Sequence, residues 1–222
     1  MRPIASLIAM TALLIGSSLI DSTNCWGYQA ALNVGAQAPE FECLNDQGQI
    51  WNSSDHIGKR ALVVYFYPSD FSFCGTRQAC RYRDHMCELS SHDVDVVAIS
   101  GDAVEAHRLF QATHTLNFSL LSDGDGEVAR KFGVPLREGG KAMIAGAKGQ
   151  PVINQVGRAV SIPRAFTEAN WTFIINQEGR VVYRDTQVSP VKDSQNVLEF
   201  IQNLNKNKSN VKDLNMKNPN MK

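Results

Sequence analysis

The sequence predicts an α/β domain with a central mixed β-sheet flanked by helices. Apolar, β-branched runs at 61–67, 94–100 and 171–176 have the length and composition of strands buried on both faces. Segments with one-sided helical spacing lie between and after them. Glu178-Gly179 separates Ile174-Ile175 from Val181-Val182-Tyr183 as a hairpin turn, so an antiparallel pair ends a set of strands otherwise joined by crossover helices. A length of 222 residues, 43% of them apolar, is enough for one core of ordinary size.

The chain opens on Arg2, an apolar run over 4–20 and the polar segment 21–24, the layout of a secretory signal peptide. Residues 1–30 are therefore expected to be a signal peptide cleaved between Gly27 and Ala31, or else an uncleaved N-terminal anchor, since the run is just long enough to cross a bilayer. The expected location is exported, either periplasmic or extracellular. Ser22-Thr23-Asn24 before Cys25 lacks the apolar and small residues of a lipobox, which argues against lipidation. The folded domain is placed at 34–204. Within it, Ala106, Leu109, Phe110 and Thr113 fall on one helical face, as do Val197, Phe200, Ile201 and Leu204. Glycines at 139, 140, 146 and 149 mark 135–169 as a loop or small hairpin insertion. Residues 205–222, rich in Asn and Lys, are expected to be a disordered tail.

Lys plus Arg equals Asp plus Glu at 22 each, which leaves no basic field for nucleic acid. A small molecule or a protein is the expected partner. The five histidines, His56, His85, His92, His107 and His114, show no metal-ligand spacing, and surface or hydrogen-bonded roles are expected for them. Asp123-Gly124-Asp125-Gly126 lacks the remaining ligands of a calcium loop and reads as a turn before a helix. There is no Cys-x-x-Cys pair, which argues against a disulfide reductase.

The chemistry concentrates in Tyr65-Phe66-Tyr67-Pro68-Ser69-Asp70-Phe71-Ser72-Phe73-Cys74-Gly75-Thr76-Arg77-Gln78-Ala79-Cys80. An apolar strand passes through a proline turn into a helix whose first turn carries a cysteine. The unpartnered N–H groups of a helix start carry partial positive charge and stabilise a thiolate. This segment resembles the active-site motif of the peroxiredoxins, AhpC/TSA-family thiol peroxidases, and most of all the peroxiredoxin Q (bacterioferritin comigratory protein) branch. Gly35-Ala36-Gln37-Ala38-Pro39, Val97-Ala98-Ile99-Ser100-Gly101-Asp102 and Phe118-Ser119-Leu120-Leu121-Ser122-Asp123 extend the likeness over about 34–204.

The resemblance implies a thioredoxin-like fold and a thiolate that attacks the O–O bond of hydrogen peroxide or an alkyl hydroperoxide. The resulting sulfenic acid would be resolved to a disulfide by a second thiol and recycled by a thioredoxin-like donor. The roles carried over are Cys74 as nucleophile, Cys80 as resolving thiol, Ser72 as the hydroxyl beside the site and Pro68 as the turn residue. No cofactor beyond the cysteines is implied, and a monomer or weak homo-oligomer is expected. The chain departs from the family pattern twice. Gly75 stands where the family places its cysteine, with Cys74 one residue early, and Asn170 stands where an arginine precedes Thr172-Phe173. Arg164 and Arg77 are candidate replacements, although both read as solvated surface residues. Cys87 reads as a buried core thiol and Cys43 as a strand filler or second thiol partner, with one disulfide expected among the four cysteines. The competing reading is a thioredoxin-fold binding or scaffold protein with a degenerate site.

Overall fold

The computed structural model describes residues 31–139, 141–144, 152–153, 155–158, 160–164 and 166–217. The expected leader with Cys25, the glycines at 140, 146 and 149, and the end of the tail at 218–222 lie outside the described residues. In chain order the elements are β1 (Glu42–Asn45), β2 (Ile50–Asn52), β3 (Ala61–Phe66), α1 (Phe73–Ser91), β4 (Val94–Ser100), α2 (Val104–His114), β5 (Ser119–Ser122) and α3 (Glu127–Phe132). There follow β6 (Leu136–Glu138), β7 (Lys141–Met143), β8 (Ser161–Pro163), β9 (Phe166–Glu168), β10 (Trp171–Ile175), β11 (Val181–Asp185) and α4 (Asp193–Lys217).

Seven strands form one sheet in the order β11-β10-β3-β4-β5-β1-β2. The pairs β3–β4 and β4–β5 are parallel, and the rest of the ladder is antiparallel, so the sheet is mixed, as the sequence predicts. The apolar run of β3 is explained by its central place. Val63, Tyr65 and Tyr67 point into the layer beneath α1, α2 and α4, while Leu62, Val64 and Phe66 point into the opposite layer with α3. Side chains alternate between the faces of a strand, so a strand covered on both sides must be apolar throughout. Val96 and Ala98 face the first layer from β4, and Val97 and Ile99 face the second.

The helical faces differ from the sequence pattern in one telling place. In α2, Ala106, His107 and Phe110 are buried, whereas Leu109 is 54% exposed. The inward rotation follows from a buried carboxylate that receives the His107 ring, described below, and a bare imidazole would not repay its desolvation. In α4, Val197, Leu198 and Ile201 are buried, and the Phe200 ring packs at a tilt against Tyr183 with centroids 5.0 Å apart. This helix continues to Lys217, past Leu204, where the sequence suggested that an irregular tail begins. Adding residues to an anchored helix avoids the nucleation cost, and Asn and Lys oppose helix only mildly. The 135–169 segment forms two short antiparallel ladders, β6 with β9 and β7 with β8, and the Ala169 N–H donates to the Pro135 carbonyl at their base. Among the described residues no helix is long and apolar enough to cross a membrane.

One buried carboxylate ties α4 to α1 and the sheet. Oδ2 of Asp193, the first residue of α4, accepts hydrogen bonds from Gln78 Nε2 at 2.8 Å, Tyr82 OH at 2.8 Å and Thr172 Oγ1 at 2.9 Å. Burial raises the Asp193 carboxyl above the usual range, and these three donors oppose that rise. Removing the acceptor leaves three buried donors without a partner. Asp193→Ala is therefore expected to lower the unfolding free energy by about 3 kcal/mol in urea titrations, and Tyr82→Phe by about 1 kcal/mol.

Candidate active site

The loop between β3 and α1 lies at the C-terminal end of the central strand, where helices start in an α/β sheet. Ser72 caps α1 by accepting from the Gly75 N–H at 3.0 Å, and its hydroxyl donates back to the Ser69 carbonyl at 2.8 Å. Thr76 N–H closes the first turn on the Ser72 carbonyl at 2.9 Å. Just before the cap, Phe71 has left-handed backbone, with φ at 54°. This conformation costs a residue other than glycine about 1 to 2 kcal/mol. It is held in place because the Phe71 ring is buried and packs edge-on to Phe110 at 5.0 Å.

Beneath the loop lies a buried ionic network. The Tyr67 hydroxyl donates to Asp70 Oδ1 at 2.6 Å, and His107 Nδ1 lies 2.8 Å from Asp70 Oδ2 with both side chains fully buried. The Asp70 N–H and the Ser100 hydroxyl both donate to Asp102 Oδ2 at 2.8 Å. Arg164 donates from Nη2 to Asp102 Oδ1 at 2.7 Å and from Nη1 to the Pro68 carbonyl. Its side chain is only 3% exposed, so Arg164 is not the solvated residue that the sequence suggested. It comes from the 135–169 arm and holds the cysteine loop by its backbone. Burial lowers His107, but Asp70 outweighs this, and the net direction is upward. Burial and then Asp70 raise Asp102 against the pull of Arg164.

Position 75, beside the cysteine, faces inward. Gly75 is buried, and a Cβ there would overlap the Ser69 carbonyl oxygen, with Ser72 Oγ at 2.9 Å and Tyr67 Cδ2 at 3.1 Å. Cys74 is exposed on the outer side of the same turn. The structure thus places Ser72 beside Gly75 in one small cradle, ties Pro68 to Arg164 through its carbonyl, and leaves the Cys74 thiol exposed. Asn170 also faces α1, but its amide is committed to Gln78 Oε1 at 2.9 Å. Arg77 lies on the surface over the Phe73 ring at 5.0 Å.

The other thiols are separate. Cys43, Cys74, Cys80 and Cys87 are all free, so the disulfide expected among them is not formed in this structure. Cys87 is exposed rather than in the core, because its face of α1 turns outward between the buried Tyr82 and Leu89. Burial, then Asp123 and Asp125, push the Cys43 thiol up to about 12. Cys80 is half-buried. Asp123 accepts from the N–H groups of Val128 and Ala129 at 3.0 and 2.8 Å, and so caps α3 as the turn reading implied. Among the described residues, no group of three or more His, Cys, Asp or Glu side chains is placed to hold a metal ion.

Residues 34–184 match the AhpC/TSA family. The chain belongs to that family. It is 39% identical over 104 residues to a putative peroxiredoxin bcp of Coxiella burnetii, and the match covers 47% of this chain and 68% of the relative. It is 44% identical over 103 residues to peroxiredoxin Bcp of Escherichia coli, covering 46% of this chain and 65% of that one, slightly less than two thirds of its length. The fold is similar to that of peroxidoxin BcpB from Mycobacterium tuberculosis, with a TM-score of 0.62 at 23% identity over 77% of this chain and 97% of that one. It is equally similar to PrxQ from Xylella fastidiosa, with a TM-score of 0.62 at 20% identity over 78% and 97% of the two chains. These relatives agree with the peroxiredoxin Q resemblance of the sequence and with a thioredoxin-like sheet.

Sequence reasoning placed the AhpC/TSA loop and named Arg164 as a candidate arginine, but missed the groups that hold the loop with it, namely Tyr67, Asp70, Asp102 and His107. The only advance signal was Asp102 and Asp70 beside apolar strand ends. Glu168, at the end of β9, is 1% exposed and has no well-formed hydrogen bond to either carboxylate oxygen. Burial pushes it up to about 8; the backbone N–H groups of Gly101 and Glu168 offset part of this, and Asp123 and Asp102 add to it.

Two expectations follow. Gly75→Ala should lower the unfolding free energy by about 1 to 3 kcal/mol in urea titrations, because the cradle has no room for a methyl group without moving the Ser69 carbonyl. The stabilisation associated with Glu168 protonation is complete below its unfolded pKa near 4.5 and is lost as pH rises to about 8. Glu168→Gln cannot lose that proton. Its stability relative to the natural chain should therefore rise between pH 5 and pH 8, by on the order of 1.4 kcal/mol per unit of pKa displacement, in urea titrations at the two pH values.

Proposed function

We propose that the protein is a thiol-dependent peroxidase that reduces hydrogen peroxide or alkyl hydroperoxides through Cys74. Cys80 resolves the oxidised thiol, and a thioredoxin-like protein returns the disulfide to two thiols. The observation that carries this reading is the exposed Cys74 in the first turn of the Ser72-capped helix. A hydroperoxide reaches that sulfur directly from solvent. In the first step the thiolate attacks one peroxide oxygen, the O–O bond breaks, and the sulfur becomes a sulfenic acid while the other oxygen leaves as water or alcohol once protonated. Cys80 then forms the disulfide and releases water. On this reading Asn170, whose amide is held by Gln78, stands in place of the family arginine. Export from the cytoplasm, carried by the apolar run at 4–20, belongs to the same reading.

A second reading is favoured by Gly75. Since it fills the inward position and leaves no thiol in the cradle, the fold also suits a binding or scaffold protein without peroxidase activity. Peroxide consumption by the reduced domain, followed by stopped flow, separates the two. The natural chain should react faster than free cysteine, Cys74→Ser should lose that reaction, and Cys80→Ser should accumulate a sulfenic acid that a dimedone probe traps. A rate equal to that of free cysteine, unchanged in Cys74→Ser, selects the binding protein instead.

A further inference from the structure

The cysteine helix carries a second reactive cluster below Cys74. Cys80 Sγ lies 4.0 Å from Nδ1 of His114, the last residue of α2. Arg83, almost one turn beyond Cys80, donates from Nη1 to the His114 carbonyl at 2.7 Å. This contact fixes the backbone that carries the imidazole and sets a guanidinium beside the thiol. The ring itself is held by Phe110, edge-on at 4.9 Å, and by Phe71 of the cysteine loop at 6.0 Å. A half-buried thiol, an oriented imidazole and a fixed cation therefore meet next to the loop whose oxidised cysteine must be resolved.

We propose that His114 is the proton acceptor that activates Cys80 as the resolving thiol, an assignment that rests on the peroxidase reading above. The imidazole, in the tautomer protonated at Nε2, takes the Cys80 proton at Nδ1. The Cys80 sulfur attacks the sulfenic sulfur of Cys74, the S–S bond forms as the S–O bond breaks, and the departing hydroxide leaves as water with the proton held by His114. One sulfenic acid and one thiol become one disulfide and one water. The Cys80 sulfur is oxidised and the Cys74 sulfur reduced, so no further co-reactant is required.

The surrounding charges support this division of labour. Burial raises the Cys80 thiol, Arg83 opposes that rise and Asp84 adds to it, so Cys80 stays protonated near neutral pH and needs a base. Burial and then Arg83 lower His114, against a small opposing pull from Asp70, so the imidazole is neutral and able to accept. Arg83 and Asp84 of α1, paired at 2.8 Å, and Asp70 of the cysteine loop are the charged groups that act on the pair.

The test uses the full chain with Cys25, Cys43, Cys74 and Cys87 changed to Ser, leaving Cys80 as the single thiol. Its exchange with the neutral disulfide dithiodipyridine is followed from about pH 5 to pH 9, the range that spans histidine titration. This arm needs no peroxide. The rate should show an inflection below the ordinary histidine value of about 6.5. His114→Gln should remove that inflection and slow exchange at neutral pH by about tenfold or more, the low side of what a positioned base contributes. His114→Asn replaces it if the Gln variant shows a lowered melting temperature. In the otherwise natural chain, His114→Gln should slow conversion of the Cys74 sulfenic acid to disulfide without changing the rate of its formation. An unchanged exchange profile overturns the His114 assignment by itself. Absence of any sulfenic acid overturns the peroxidase reading, and with it the resolving role, whatever the exchange profile.

Discussion

The cysteine loop depends on a buried set of charges that neutralise one another. Asp70 and Asp102 face His107 and Arg164 beneath the turn, and all four side chains are almost entirely out of water. A charge moved from water into a protein interior costs several kcal/mol unless it is paired, so removing any one member strands its partner. The network also makes the loop part of the sheet. Asp102 holds the Asp70 N–H, Arg164 holds the Pro68 carbonyl, and Tyr67 bonds to Asp70 across the turn. With its backbone fixed at these points, the loop carries Phe71 in left-handed conformation and delivers Ser72 to the cap position. The direction of every side chain in the first turn of α1 follows from that placement.

The sheet could be read from the sequence because its physics is local in pattern. A strand covered on both faces must be apolar at every position, and 61–67 and 94–100 are. Helix α1 was readable from its proline turn and cysteine segment. The ionic network was not, since it joins residues 62 positions apart, as in Arg164 and Asp102, and nothing in either neighbourhood marks the pairing. The same limit explains α2. Hydrophobic periodicity favours Leu109 as a core residue, but the buried Asp70 carboxylate draws His107 inward instead, and the helix turns accordingly. At α4, composition suggested an end near Leu204, whereas an anchored helix extends through weak formers at little cost.

The placement of Cys74 beside Gly75 has a physical logic within this frame. The inward position is bounded by the Ser69 carbonyl, Ser72 Oγ and Tyr67, so the backbone there closes tightly only around glycine. The adjacent residue points to solvent, as successive helical positions rotate by 100°. Cys74 keeps the helix start and gives up the enclosure. Asn170 fits the same arrangement. With no thiolate in the cradle, an arginine at that position would bring a charge with no counterpart, whereas the amide is satisfied by Gln78.

Resolution places the sharpest demand on the helix. Cys74 and Cys80 are six residues apart, about 9 Å along an intact helix, and a disulfide needs Cα atoms within about 7 Å. Opening the whole segment from Thr76 to Arg83 would break the Gln78 and Tyr82 bonds to Asp193 and withdraw two buried polar groups from their acceptor. Cys80 lies between those two anchors and is further held by its contact with His114. Among the described residues, the α1 positions 73–77 make no side-chain hydrogen bond to another element, and Gly75 lies among them. The less costly route therefore unwinds the first turn and a half of α1 and carries Cys74 to a stationary Cys80. On the proposed reading Cys80 is the fixed partner, and His114 beside it stays in place through the whole movement.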